Sequence, residues 1–68
     1  MIVIQEGVWR ADAIACVDIC DETIQVLPYG CADFIDYDYD SAEEATAAFK
    51  EIVLKWENEL KAGLLHAN

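Results

Sequence analysis

The side chains with the clearest chemical potential in this sequence are carboxylates, and part of their spacing is regular. Asp36, Asp38 and Asp40 recur at every second position. They match the D-x-D-x-D opening of a calcium loop, which also needs glycine at its sixth position and a bidentate glutamate at its twelfth. Those places hold Ser41 and Ala47, so no metal is expected. The same spacing fits a strand, on which side chains two apart share a face about 6.6–6.8 Å from one another.

The thiols give no alternative metal or redox centre. Cys16 and Cys20 look like a C-x-x-x-C motif, but on a strand their Cα atoms would lie about 13 Å apart. A disulfide tolerates at most about 6.8 Å, and a shared zinc fails for the same reason. Cys31 sits in a turn region, and the lone histidine, His66, follows the expected helix stop. Three cysteines, an odd number, suggest free thiols in a reducing compartment. There is no glycine-rich phosphate loop and no Ser/His/Asp set. One helix on one sheet rarely encloses the roughly 300 Å³ of a small ligand pocket. The expectation is a binding protein without cofactor, not an enzyme.

The elements that position these groups follow from periodicity. Sixty-eight residues make one domain, 1–68, near the lower size limit for an unstapled core. Ile2 to Gln5 reads as a strand broken at Glu6-Gly7, with Val8-Trp9-Arg10 extending it after a bulge or lying in a loop. Ala13 to Cys20 alternates Ala15, Val17 and Ile19 against Ile14, Cys16, Asp18 and Cys20. Asp21-Glu22 makes a tight turn into Thr23–Leu27, which points Ile24 and Val26 one way and Thr23, Gln25 and Leu27 the other. Pro28-Tyr29-Gly30 is the clearest turn signal. Asp33 to Tyr39 alternates Ile35, Tyr37 and Tyr39 against Phe34, Asp36 and Asp38.

Ser41 then caps a helix over 42–62, with Glu44 three residues on completing a capping box. Ala45, Ala48, Phe49, Ile52, Val53, Trp56 and Leu60 share one helical face, and Gly63 is the natural stop. The result is an α+β fold: a small antiparallel sheet of three to four strands with one long amphipathic helix on one face. Trp56, Tyr37 and Tyr39 belong to the core beneath the helix, while Trp9, Tyr29 and Phe34 are not claimed by it.

Charge supplies the functional direction. Fourteen acidic side chains face four basic ones, for a formal net charge of −10. Residues 1–40 carry nine acids against Arg10 alone, whereas residues 41–68 carry five acids and three lysines. Such a field repels nucleic acid and anionic membrane and attracts basic protein surfaces. No signal peptide or membrane span is evident, so a cytoplasmic location is expected.

Two functions fit. In the first, the acidic strand face imitates a polyanion and blocks a basic groove, as small acidic inhibitors of restriction or CRISPR enzymes, often phage-encoded, do. Asp18, Asp36, Asp38 and Asp40 would carry that contact, with Asp21, Glu22 and Asp33 at the turns and Phe34 beside them. In the second, the uncovered sheet face with Cys16, Leu27 and Phe34 is buried by pairing across it or along an edge strand with a protein partner or a second copy, as an adaptor or homodimer would.

Overall fold

The strongest local signal becomes the longest element. In the computed structural model, which describes residues 1–66, helix α1 spans Ala42–His66. Its start is fixed by Ser41, whose Oγ accepts the Glu44 N–H at 3.1 Å and satisfies one otherwise free first-turn donor. Glu43 and Glu44 lie in that first turn, at the positive end of the helix dipole. The expected stop at Gly63 is not used: the helix continues through it to His66. Among the described residues nothing lies within 4 Å of the position where a Gly63 Cβ would stand. No packing forces the chain to turn there, and glycine inside a helix costs only about 1 kcal/mol. Ala45 and Ile52 are buried, and Ala48, Phe49 and Trp56 pack beside the core.

The strands form two antiparallel sheets instead of one. Strands β1 (Ile2–Ile4) and β2 (Gly7–Trp9) pair Ile2 with Trp9, Val3 with Val8 and Ile4 with Gly7. The two-residue turn between them places Gln5 at φ 52°, the positive value that the first central residue of a primed hairpin turn adopts. Gly7–Trp9 is therefore the return strand of a hairpin, closed before a 3₁₀ turn at Ala11–Ala13.

The second sheet has the order β3-β4-β5, from Ile14–Cys20, Thr23–Pro28 and Ile35–Asp38. Asp21-Glu22 is the expected tight turn, with Asp21 at φ 52°. Strand β5 is shorter than its alternation suggests, leaving Asp33 and Phe34 before it and Tyr39 and Asp40 after it.

A register shift between Ile14 and Cys16 changes one face assignment. Ile14 pairs with Pro28 and Cys16 with Leu27, so Ala15 is the extra residue of a bulge. Uninterrupted alternation puts Ile14 outside with Cys16 and Asp18. The bulge turns it inward instead, where it is 1% exposed and joins Ile2, Ile4, Ile24, Val26 and Ile52 in the core cluster. Burial of a large aliphatic side chain is worth about 1.5–3 kcal/mol, enough to favour the break in pairing.

Side-chain hydrogen bonds join the parts. Trp9, which the periodicity leaves outside the core, is half-buried, and its Nε1 donates to Tyr37 Oη at 3.0 Å. Gln5 Nε2 donates to the Asp38 carbonyl at 2.6 Å. Trp56 Nε1 donates to the Ala11 carbonyl at 2.9 Å and ties α1 to the 3₁₀ turn. On the three-stranded sheet, α1 packs on the inner face at β3 and β4, while Ile35 on β5, opposite Val26 and expected on the core side, is 42% exposed. The outer face of that sheet is covered by nothing among the described residues.

Candidate functional site

The outer face of β3-β4-β5 is built by register. Residues directly opposed on antiparallel strands share a face. One row across the sheet is Cys20, Thr23 and Asp38, the next is Asp18, Gln25 and Asp36, and a third begins with Cys16 and Leu27. Asp36 and Asp38 follow one another along β5 at about 6.6–6.8 Å, and Asp18 stands roughly 10 Å from Asp36 across β4.

The carboxylates on β5 are held by neighbours. Thr23 Oγ1 donates to Asp38 Oδ1 at 2.7 Å, and Gln25 Nε2 donates to Asp36 Oδ1 at 3.3 Å. Asp18 turns along its own strand, where its Oδ1 accepts the Ile19 N–H at 2.8 Å. Thr23 and Gln25 thus join the candidate site, although the sequence names only the acids and Phe34. Alternation already puts them on the outer face, but which acid each one meets depends on strand register.

All eight expected contact residues are exposed: Asp18, Asp21, Glu22, Asp33, Phe34, Asp36, Asp38 and Asp40. The fold does not gather them into one patch. Asp21 and Glu22 form the β3–β4 turn beside the Cys20, Thr23 and Asp38 row, so they extend the Asp18, Asp36 and Asp38 group at that end. Asp33 precedes β5 at the other end of the sheet. Asp40 does not continue the β5 row, because the strand ends at Asp38 and the chain bends toward the Ser41 cap. The expected row of three on one strand becomes two on β5 and one on β3.

The charge on this face is uncompensated by its own strands. No lysine or arginine belongs to β3, β4 or β5, and Arg10 is paired with Asp12 at 2.8 Å. A shallow depression of about 420 Å³ runs over Thr23, Gln25, Asp36 and Asp38 to the turn at Asp21-Glu22. A larger open hollow of about 600 Å³ lies between Arg10, Ala11, Glu59 and Leu60, away from the carboxylate rows. On the inner side Tyr39 has its phenol pushed above the usual value of 10.0, first by burial and second by the neighbouring Tyr37.

Among the described residues, no three His, Cys, Asp or Glu side chains converge on a metal-sized site. Cys16 is half-buried, Cys20 and Cys31 are exposed, and all three are free thiols. Within the described residues no helix is long and apolar enough to cross a membrane. Compared with protein-family models, with curated proteins and with solved structures, the chain finds no match.

Proposed function

We propose that this chain is a small acidic binding protein, an inhibitor that presents the outer face of β3-β4-β5 to the basic surface of a nucleic-acid-handling protein. The observation that carries the reading is the grouping of Asp18, Asp36 and Asp38 on one uncovered face, with Asp21 and Glu22 at its end and no basic side chain on the three strands. A groove lined with lysine and arginine for a polyanion gains from regularly spaced anions of any origin. Thr23 and Gln25 hold two of those anions in place before contact, which lowers the ordering cost of binding.

The test is the triple substitution of Asp18, Asp36 and Asp38 by Asn, which keeps shape and polarity and removes three charges. A close charge pair at a desolvated interface is worth about 1.5 kcal/mol or more. Binding to basic nucleic-acid-binding partners, measured by calorimetry across a salt series, should weaken at least ~100-fold at low salt. Asp40→Asn alone serves as control, because Asp40 lies off the face. A folded triple variant with unchanged affinity would remove this reading.

An adaptor role is the second reading, supported by the exposure of Phe34 (42%) and Tyr29 (68%). Its contact would be apolar and salt-tolerant, and Phe34→Ala would weaken it where the Asn triple would not.

A further inference from the structure

The free edge of β3 carries a pattern that goes beyond both readings, although Asp18 and Cys16 also belong to the faces they use. From Cys16 to Cys20 the sequence is Cys-Val-Asp-Ile-Cys, symmetric about Asp18 in residue type. In a hairpin closed by a two-residue turn, the closing pair Cys20 and Thr23 exchanges hydrogen bonds, and such pairs then alternate with non-bonded ones. Val17 and Ile19 therefore turn their backbone N–H and C=O groups away from β4, toward the open edge. The Ile19 N–H confirms this direction, since it meets the side chain of Asp18 and not β4.

We propose that this edge pairs with the β3 edge of a second copy about a two-fold axis through Asp18, and that thiol oxidation locks the pair. Antiparallel pairing of Val17 with Ile19′ and of Ile19 with Val17′, the prime marking the second copy, uses all the outward groups of both residues. It also stops short of the bulge at Ala15 and the turn at Asp21. The same register sets Cys16 opposite Cys20′, and Cys20 opposite Cys16′. These are non-hydrogen-bonded pairs, with Cα atoms about 4.5 Å apart, inside the range of about 4.4–6.8 Å that a disulfide accepts. The two thiols too far apart to join within one strand meet between two strands.

Asp18 opposes this pairing while the thiols are reduced. It stands directly opposite Asp18′, a like-charge contact that destabilises cross-strand pairing, and it occupies the Ile19 N–H that the second strand needs. Each disulfide forms from two thiols with loss of two protons and two electrons. A small-molecule disulfide such as oxidised glutathione accepts them by exchange and leaves as two thiols. This device is independent of the proposed inhibitor role, although the joined sheet would carry two copies of the carboxylate face.

The test is to treat the folded protein with oxidised glutathione and follow it by non-reducing electrophoresis, disulfide mapping and amide hydrogen exchange. A covalent dimer linked Cys16–Cys20′ is expected, with new protection at the Val17 and Ile19 amides. Cys16→Ser or Cys20→Ser alone should abolish both links, because each link needs one of each residue, while Cys31→Ser should leave the dimer intact. Asp18→Asn should raise the dimer formed at sub-saturating oxidant by about two- to fivefold, as expected for removal of one opposed like-charge pair. Absence of a dimer would overturn the proposal. So would links through Cys31 or between two copies of Cys20, links without amide protection, or no gain in Asp18→Asn.

Discussion

Substitution of Gly7 by alanine tests how the hairpin clasps the strand that presents Asp36 and Asp38. A Cβ at position 7 would stand 2.9 Å from Tyr37 Oη and 3.3 Å from the Ile4 carbonyl oxygen. Tyr37 Oη is also the acceptor for Trp9 Nε1 at 3.0 Å, so it cannot retreat without loosening that bond. Overpacking of this kind costs about 1–3 kcal/mol, and replacing glycine by alanine within a strand returns about 0.5–1 kcal/mol. The net expected loss for Gly7→Ala is therefore roughly 0–2.5 kcal/mol. Tyr37→Phe removes the same oxygen and leaves the half-buried indole N–H without its partner, at a cost of about 1 kcal/mol. In the double variant the crowding at Oη is gone, so the combined loss should fall short of the sum by about 1 kcal/mol. Urea unfolding followed by tryptophan fluorescence measures all three. If the two losses add to within about 0.3–0.5 kcal/mol, as independent sites do, the crowding argument is wrong.

Two further perturbations address the core. Trp56→Phe keeps most of the ring but leaves the Ala11 carbonyl without its donor, and should cost about 1 kcal/mol. Trp56→Ala should cost about 3–5 kcal/mol, comparable to the whole net stability of about 3–5 kcal/mol available to so small a core, and circular dichroism should show it largely unfolded. Tyr39 supplies a pH test. Its phenol is raised in the folded state, by burial first, so the folded protein holds that proton more tightly than the unfolded chain. The stabilising effect is complete below the unfolded value near 10 and is lost as pH rises through the higher folded value. The urea midpoint should fall above about pH 10, and Tyr39→Phe should flatten that fall.

The α+β class, the Ser41 cap and the inner stripe of α1 are legible in the chain itself. Apolar residues at three- and four-residue steps from Ala45 to Leu60 leave a helix one face to bury, and Ala45 and Ile52 are buried on it. Thr23–Leu27 is equally explicit, since alternation sends Ile24 and Val26 inward, and both are fully buried. The outward direction of Asp36 and Asp38 follows from the same period. These are local properties: a side chain's direction on a regular element depends on its neighbours along the chain.

What the sequence left open depends on groups far apart along it. Trp9 packs against the core and donates to Tyr37, twenty-eight residues on. Thr23 and Gln25 become part of the acidic face only because register sets them against Asp38 and Asp36. Asp40 leaves the row because the strand ends one turn before the helix cap, and Asp33 is carried to the opposite end of the sheet.

The amino-acid sequence by itself determined which segments alternate, which segment is helical, and that the sheet half is strongly acidic. Tertiary structure decided that the hairpin at Ile2–Trp9 stands apart from the main sheet, that Ala15 bulges so Ile14 can enter the core, and that α1 runs on through Gly63. It also decided which carboxylates share a face. The physical reason is that periodicity is set residue by residue, whereas register, bulges and strand ends are set by the side chains that each strand meets when it packs.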